Sequence, residues 1–435
     1  MPTTTAKRAV ISSLLWSQLV AILLVILIGL AQWKAGHVSM LDALGNWLNF
    51  SAGRDSWSPM RQTYDWFVAP HRSSIYQEVF FSRHVKFQYP PSSLLIFAIP
   101  KKFGISISDF FLNAVGWVAV MAEVAATAAL SIMALSKTAD EKIGTAEKLS
   151  GAILAGLACL LFYPVLRAYA LGQIQTWLNA MSAAAMLAYA WGRRGLAGAL
   201  IGGICLIKPQ LGLVLVWALL RKQWGMAAAM SAVLAIGFGT SLLWFGWQNH
   251  VDYLSAIAFM GKHGEAIYAN QSINGFVQRL IGNGDALRWH EHDFPPFNAI
   301  VYSLTVLTSL LMIAGSLAWR RTGGLGDFAI AILSFTMASP IAWVHHYGVL
   351  PPLVVLLATA IARRPTLGSI ALLVGAYIMA ASFFAPYDEP WLMQVRATPS
   401  SYLLFAALIM LYLLYRHGKD IDALGGRQIG AHGDT

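Results

Sequence analysis

The sequence predicts an all-α polytopic membrane protein. Of its 435 residues, 57% are hydrophobic and only 11% are charged, whereas soluble domains carry about a quarter charged residues. The mean hydropathy is +0.59, and apolar runs long enough to cross a bilayer as helices recur along the chain. We therefore expect one integral membrane domain over residues 1–420 and a disordered cytoplasmic tail over 421–435.

Short groups of basic residues set the expected orientation. Lysine and arginine gather on the cytoplasmic side of membrane proteins, so the net charge of +10 indicates topology and not nucleic-acid binding. Threading the apolar runs between these groups places every group on one side and both termini in the cytoplasm. The first run is longer than the apolar part of a signal peptide, so we expect an uncleaved helix. The basic groups are Lys7-Arg8, Lys137 to Lys148, Arg193-Arg194, Arg221-Lys222, Arg320-Arg321, Arg363-Arg364 and Arg416 to Lys419.

The apolar runs predict about 10–12 transmembrane helices, with re-entrant segments. Residues 91–100 are apolar but too short to span. Residues 196–220 lie between two cytoplasmic groups, so they must turn back at Lys208-Pro209, inside a protein-covered cavity. Residues 32–100 form a long first outer loop, and 247–297 and 385–400 also face outside. The predicted helices cover about 10–31, 109–135, 149–165, 176–191, 224–246, 298–319, 327–344, 347–362, 367–384 and 401–415.

Asp55, in the first outer loop, is the leading candidate for a catalytic residue. A carboxylate just outside the bilayer suits general-base chemistry on a hydroxyl group. A helix cap or an ion pair with Arg54 or Arg61 is the structural alternative. Asp42 and Asp65 compete for the catalytic role in the same loop.

Lys208 is the leading candidate for binding a phosphate group. An ionisable residue inside an apolar segment is costly and indicates function, and an ammonium group is a natural partner of phosphate. A snorkelling lysine is the alternative. Glu123 lies in the second predicted span and needs a buried partner, for which Lys208 and Arg167 are candidates.

Amide-rich strings suggest contacts with hydroxyl-rich ligands, because an amide both donates and accepts hydrogen bonds. Capping of helices is the commoner role of such strings. Tyr89, which precedes two prolines, either packs in the protein or offers its ring to a ligand. The amide candidates are Gln173, near Arg167, and Asn270 with Gln271, ahead of Arg279.

The adjacent histidines His345 and His346 do not predict a metal site. Neighbouring helical side chains rarely reach one ion, and no carboxylate set completes a site, so contact with phosphate or hydroxyl is the better hypothesis. Cys159 and Cys205 lie in apolar runs and suggest neither a disulfide framework nor a metal cluster. No nucleotide-binding string occurs, so an activated donor would be lipid-borne or lie outside the cytoplasm.

In their order along the chain, these strings resemble the bacterial polyprenyl-phosphate-mannose-dependent α-mannosyltransferases of the GT-C superfamily. The resemblance covers residues 10–415. The most similar characterised type extends phosphatidylinositol mannosides and lipoglycans in mycobacteria. It rests on an Asp after the first helix, Tyr89-Pro90-Pro91, Gly172-Gln173, Ile207-Lys208-Pro209, Asn270-Gln271-Ser272 and the string from Ser339-Pro340 to His345-His346.

The resemblance implies a GT-C fold in the bacterial plasma membrane and inverting, metal-independent sugar transfer without a cofactor. It implies a polyprenyl-phosphate sugar as donor and a glycolipid or polysaccharide as acceptor, with the active site outside. Asp55 best matches the family's catalytic Asp, and Asp65 is the second choice. Lys208, His345 and His346 match positions for contacts with the donor phosphate or sugar. Arg279 and Arg167 are further candidates for binding the phosphate or another part of the substrate.

Two other functions fit the same sequence. A flippase or transporter of lipid-linked glycans would use the same cavity without chemistry. An enzyme of the O-antigen-ligase type would take a pyrophosphate-linked glycan and use an Arg–His pair, for which Arg279 with His290 or His292 is the nearest candidate.

Overall fold

The computed structural model describes residues 4–69, 74–138, 143–319, 322–384 and 397–425. Within these ranges the chain is helical, and the only strand-like pairing is a single bridge between Asn270 and Trp343. The predicted all-α class is confirmed. The helices are α1 Thr4–Lys34, α2 Met40–Leu48, α3 Trp57–Val68, α4 Leu95–Lys102, α5 Asp109–Thr138, α6 Thr145–Leu160, α7 Tyr163–Ala170, α8 Gln175–Ala190, α9 Arg194–Cys205, α10 Leu213–Leu220, α11 Trp224–His263, α12 Ile273–Leu280, α13 Ala299–Ala318, α14 Leu325–Met337, α15 Leu350–Arg363, α16 Leu367–Ala381 and α17 Tyr402–Asp422.

Short helices of other types occur at several junctions. Tyr76–Ser82 forms a π-helix, and 3₁₀-helices cover Pro91–Leu94, Pro209–Gly212, Val344–Val349 and Pro399–Ser401. Such turns are frequent as connectors and at functional sites. Lys208 directly precedes the 3₁₀-helix Pro209–Gly212, and the histidine pair lies in the first turn of Val344–Val349.

The chain is a multi-pass membrane protein. In the described ranges six helices are long and apolar enough to cross a bilayer, and the bent pair of α6 and α7 makes a seventh. The prediction of 10–12 spans also counted shorter apolar helices. The six are Ser12–Lys34, Asp109–Lys137, Trp224–His263, Ala299–Ala318, Val344–Arg363 and Pro399–Asp422; the shorter ones are Arg194–Cys205, Pro209–Leu220, Leu325–Met337 and Leu367–Ala381.

The helices differ in how deeply they are buried. The span that contains α15 is almost wholly enclosed, whereas few residues of α1, α11 and α13 are fully buried, as expected of helices that face lipid. Around α15 pack α5, α16 and α17, and α5 in turn packs on α6 and α8. The pair of short helices α9 and α10 packs against α11.

Several predicted helix boundaries are wrong, and three of them have a clear local cause. The helix predicted over 327–344 ends at Met337, because Pro340 lacks an amide hydrogen and the following residues bond to another loop. There Gln271 N donates to Ala342 O at 2.8 Å and Val344 N donates to Ala269 O at 3.0 Å.

The other two boundaries involve bends. The helix predicted over 149–165 breaks after Leu160, and α7 starts at an angle of 49° with Pro164 in its first turn, where a proline is tolerated. Arg167 therefore lies on a helix and not in a turn. Gly246 (φ 78°) kinks α11 where a helix end was predicted, and the helix then continues to His263.

The remaining topological expectations agree in part. Two short helices flank Lys208-Pro209 as predicted. Helix α17, predicted to end at about residue 415, continues through Asp422, and Leu424 is buried. Arg320-Arg321, most of the outer loop at 385–400 and residues 426–435 lie outside the described residues.

Candidate functional site

A short loop carries Asp55 and is fixed to the turn between α7 and α8. We call residues 51–56 the Asp55 loop. Three of its backbone amides donate to consecutive carbonyl groups of the turn, so the loop behaves like a strand laid along it. The donors and acceptors are Gly53 N to Ala170 O (2.9 Å), Asp55 N to Leu171 O (2.9 Å) and Ser56 N to Gly172 O (3.3 Å).

Two glycines make this close approach feasible. Gly172 has φ 68°, which favours glycine, and a Cβ there would lie 1.9 Å from Gly53 O. A Cβ on Gly53 would lie 2.8 Å from Leu171 O. Any side chain at either position would push the Asp55 loop off the turn.

Gln173 ties the Asp55 carboxyl to a small buried network. Its Nε2 donates to Asp55 Oδ2, and its Oε1 accepts from Ser56 Oγ at 2.5 Å. Ser56 Oγ also accepts from Ile174 N at 3.1 Å and lies 2.9 Å from Tyr89 Oη. Gln173 and Tyr89 were predicted site residues; Ser56 was missed, because only the fold shows that its hydroxyl is shared.

The surroundings adjust the proton affinity of Asp55. The residue is exposed at the surface, yet the dense protein around its carboxyl removes hydration, and this raises its pKa. The bond from Gln173 and the charge of Arg167 oppose the rise, and the charge of Glu291 adds to it. Loss of hydration dominates, as for other carboxylic acids in enclosed sites. No sequence pattern pointed to Glu291.

A cationic group lies next to Asp55. It consists of the cations Arg167 and Lys208 and the adjoining imidazoles of His345 and His346, four residues predicted to bind substrate. Lys208 Nζ contacts His346 Nε2, the two imidazole rings stand perpendicular with centroids 4.9 Å apart, and both Arg167 and Lys208 act electrostatically on His345. The 3₁₀-helix that bears the histidines packs on α7 and α8.

Two members of this group have distinct surroundings. The Asn179 amide donates to the carbonyl group of His345 at 3.2 Å, which fixes the backbone of the histidine pair. The half-buried Arg167 guanidinium forms no hydrogen bond or ion pair within the part of the chain that the structure describes. Its charge is therefore available to a ligand.

A buried ion pair connects the two long loops near the site. Lys86 Nζ lies 2.7 Å from Glu265 Oε1 and 3.9 Å from the centroid of the Trp289 ring. Trp289 packs on Trp343 with centroids 5.3 Å apart, beside the histidine pair. Burial raises the pKa of Glu265 to about 7, and Lys86 opposes the rise. The contact positions the segment that carries Glu291.

Asn270 and Gln271, predicted to contact substrate, bond to the protein backbone in this structure. Both are fully buried. Asn270 Nδ2 donates to Glu265 O at 2.8 Å and its Oδ1 accepts from Ala342 N at 3.0 Å. Gln271 Nε2 donates to Ser400 O at 2.6 Å. These amides hold the loop that supports the histidine pair.

Arg279 is likewise a structural residue. Its Nη1 donates to the carbonyl groups of Ala266, Ile267 and Asn270 at 2.9–3.2 Å, and its Nη2 donates to Ser401 Oγ at 2.7 Å. Burial lowers its pKa to about 9. The side chain is enclosed by these bonds and not presented to a phosphate.

The alternative Arg–His pairs are not formed either. His290 Nε2 lies 3.4 Å from Asp285 Oδ2 at the surface, and His292 Nδ1 lies 3.3 Å from His84 O. Neither histidine bonds to the buried Arg279 in the described chain, so the arrangement expected of an O-antigen-ligase-type site is not observed.

The other acidic candidates lie in different settings. Asp42 caps α2 by bonding to Ser39 N at 2.7 Å, and Asp65 is exposed on α3 beside Tyr64. Neither oxygen of the buried Glu123 has a hydrogen-bond partner in the described ranges, and the suggested partner Lys208 contacts His346 instead.

The described residues contain no group of three or more His, Cys, Asp or Glu side chains placed to hold a metal ion. Cys159 and Cys205 are buried free thiols.

Comparison with known proteins identifies related sequences. A family model described as glycosyltransferase family 87 matches residues 87–340, more than half of the chain. The matched region contains Tyr89, Arg167, Gln173 and Lys208, and it begins after Asp55.

Two curated relatives are 28% identical to the chain, and both are named polyprenol-phosphate-mannose-dependent alpha-(1-2)-phosphatidylinositol pentamannoside mannosyltransferase. The protein from Mycolicibacterium smegmatis matches over 239 residues, 53% of this chain and 52% of the relative. The protein from Mycobacterium tuberculosis matches over 285 residues, 64% of this chain and 59% of the relative. The chain thus spans between half and three fifths of the length of these relatives. No solved structure was found to match.

Proposed function

Because the chain belongs to glycosyltransferase family 87, we propose that it transfers a sugar from a polyprenyl-phosphate donor to a hydroxyl group of a glycolipid or polysaccharide. Mannose is the proposed sugar, since both relatives are named for polyprenol-phosphate-mannose. The helical multi-pass architecture fits the GT-C fold expected of the family. Membership of a glycosyltransferase family favours transfer over the flippase hypothesis.

The observation that carries this proposal is the position of Asp55 beside the cationic group. Gln173 holds Oδ2 of the carboxyl, so Oδ1 is the oxygen that accepts a proton. A carboxylate with a raised pKa is a better general base than an ordinary one, since its proton affinity is closer to that of its task. Arg167 interacts electrostatically with both Asp55 and His345, and Lys208 interacts with His345. These interactions support one site that contains the proposed base and the cations.

In the proposed reaction, Asp55 takes the proton of the acceptor hydroxyl as its oxygen attacks the anomeric carbon of the donor. The bond between that carbon and the phosphate oxygen breaks, and its electron pair leaves with the polyprenyl phosphate. Attack opposite the leaving group inverts the anomeric configuration. The phosphate is a stable anion, so charge stabilisation by Arg167 and Lys208 serves where a general acid would otherwise be needed.

We place this site on the extracytoplasmic face of a bacterial plasma membrane. The support is the distribution of basic residues along the sequence, which orients both termini toward the cytoplasm. The donor then enters laterally from the outer leaflet, with its phosphate at the level of Lys208.

The test is transfer by purified wild-type protein from synthetic polyprenyl-phosphate-mannose to a lipid-extract acceptor. Polyprenyl-phosphate donors with other sugars, and a pyrophosphate-linked sugar, are run in parallel. We expect transfer of mannose from the monophosphate donor, and an anomeric configuration by NMR that is opposite to that of the donor. No transfer from any donor, or a product with retained anomeric configuration, would contradict the proposal.

A further inference from the structure

A pocket of about 270 Å³ adjoins the Asp55 loop. Its walls come from residues 50–54, the start of α5, the end of α7 and the start of α8. Gln173 lines this pocket and also donates to Asp55. The pocket is large enough for several water molecules or a small polar ligand, and one side chain connects it to the proposed base.

Polar atoms without protein partners converge on this pocket. In the described part of the chain, Thr176 Oγ1, Trp177 Nε1, Tyr169 Oη and Asn113 Oδ1 are all buried and make no hydrogen bond. Tyr169 and Asn113 lie close enough to interact with each other, whereas Thr176 and Trp177 have no such neighbour among the described residues. An unpaired buried polar group costs about 1–3 kcal/mol, so the polar atoms around this pocket favour a ligand that satisfies them.

The charge and the aromatic rings of the pocket narrow the class of ligand. At the rim, the Asp109 carboxylate pairs with Arg54 at 2.9 Å and with Arg61 at 3.1 Å. Within the described residues the pocket therefore offers no unpaired carboxylate to a cation, and the excess positive charge lies at its exposed rim. The Trp57 and Trp177 rings stand 5.1 Å apart. Neutral hydroxyl donors and acceptors beside aromatic faces are what a sugar ring requires.

We propose that this pocket binds one sugar ring of the acceptor glycan. That the bound sugar belongs to an acceptor rests on the proposed glycosyl transfer. That the pocket binds a sugar rests on the pocket alone. The hydroxyl groups of the ring bond to Thr176, Trp177, Tyr169 and Asn113. Because Gln173 lines the pocket and donates to Asp55, a bound sugar acts on the Asp55 carboxyl through this side chain. The pocket thus selects acceptors that already carry a sugar.

Substitutions that remove one polar atom each test this assignment. Thr176→Val and Trp177→Phe keep most of the side-chain volume and remove one hydrogen-bonding group. A single hydrogen bond is worth about 0.5–1.5 kcal/mol, so we expect KM for the acceptor to rise about 2- to 12-fold. KM for the donor and kcat at saturating acceptor are expected to stay near wild type.

A third variant reduces the space in the pocket. A Cβ on Gly116 would lie 3.6 Å from the Tyr169 ring and 4.0 Å from Trp177 Nε1, so Gly116→Ala fits without a clash. Gly116→Leu extends into the pocket beyond that point. We expect a small effect on acceptor KM from Ala and a much larger one from Leu.

Matched controls exist in the same fold. Thr359 is a helical threonine as buried as Thr176, but its hydroxyl donates to Val355 O at 2.7 Å. Trp117 is half-buried like Trp177 and stacks on Trp47 with centroids 5.1 Å apart. Thr359→Val and Trp117→Phe should leave acceptor KM unchanged.

Binding is measured separately from transfer, by saturation-transfer difference NMR with methyl α-mannobioside as the probe and Asp55→Asn protein as the receptor. The proposal expects the signal to persist in the control variants and to weaken in Thr176→Val and Trp177→Phe. An equal signal in all four variants would overturn it, as would transfer with unchanged acceptor KM in the pocket variants. A wild type that binds the probe in this pattern but transfers no sugar would overturn the proposed function and leave the pocket assignment standing.

Discussion

At the scale of single residues, the candidate site depends on how neighbouring groups change the pKa of the Asp55 carboxyl. The protein removes water from Asp55, Glu291 repels a second negative charge, and Gln173 and Arg167 stabilise the charged form. The sequence indicated Asp55, Gln173 and Arg167 by residue type and position. It gave no signal for Glu291, because the approach of residues more than 200 positions apart depends on the tertiary fold.

The pH dependence of transfer should report this balance. The base works only when deprotonated, so a raised pKa means that activity falls at a higher pH than for an ordinary Asp as the solution is acidified. Glu291→Gln removes a repelling charge and should move the acid limb of the kcat/KM profile to lower pH. Arg167→Gln should move it to higher pH. The variant Glu147→Gln, far from the site in sequence, serves as control. An acid limb that stays at the same pH in both site variants would count against Asp55 as the base.

Ser56 should matter for stability as well as for activity. Ser56→Ala leaves the Ile174 amide without its acceptor and removes the contact with Tyr89. Loss of a buried partner costs about 1–3 kcal/mol, so the unfolding midpoint in detergent should fall. The exposed Ser136, which bonds only to its own helix, provides the control Ser136→Ala. Equal midpoints for the two variants would refute the role of the network.

At the scale of elements, apolar runs predicted most helices well, because burial in lipid forces a hydrophobic stretch into a helix. The failures came where tertiary bonds compete with the helix. Pro340 ends α14 in favour of bonds to the loop at 269–272, and Pro164 starts a new helix after a bend. These bonds also involve predicted site residues: the side chains of Asn270, Gln271 and Arg279 bond to backbone carbonyl groups of the protein, which residue type alone could not predict.

The contact between the Asp55 loop and the turn after α7 can be broken by one methyl group. Gly172→Ala adds a Cβ that collides with Gly53 O at a positive φ, so the loop must move and transfer should fall at least about 100-fold, as for other misplaced catalytic groups. Helix content by circular dichroism should be unchanged.

The control for this variant is Gly192→Ala. Gly192 also has a positive φ, 76°, but a Cβ there meets nothing within 4 Å. It carries the strain of the backbone alone, about 1 kcal/mol, and should keep near wild-type transfer. Similar activity of the two variants would show that the loop contact is not needed.

At the scale of the whole molecule, the proposed base and the cationic group come from distant parts of the chain. Asp55 precedes the region that matches the family, whereas Arg167 and Lys208 lie within it and the histidine pair follows it. The order of the sequence strings, more than any one string, predicted that these parts belong together. The distances within the site could not be predicted, because they depend on how α7, α8 and the 3₁₀-helix at Val344–Val349 pack.

The membrane orientation can be tested with single cysteines at the two ends of α5. Both native cysteines are buried, so the background of labelling should be low. Ser106 and Thr145 are exposed. Ser106 lies just before α5, and Thr145 lies after it, at the start of α6. In intact cells, a membrane-impermeant maleimide should label Ser106→Cys and spare Thr145→Cys until the membrane is opened. The reverse pattern would place the site in the cytoplasm.

The most direct measurement of the central claim compares the transfer rate from polyprenyl-phosphate-mannose for wild type, Asp55→Asn and Asp65→Asn. Loss of a general base typically costs about 10²- to 10⁴-fold in rate. We expect a loss of that size in Asp55→Asn, with an unchanged unfolding midpoint, and near wild-type transfer in the exposed Asp65→Asn. Full activity of Asp55→Asn, or a loss confined to Asp65→Asn, would contradict the assignment of Asp55 as the base.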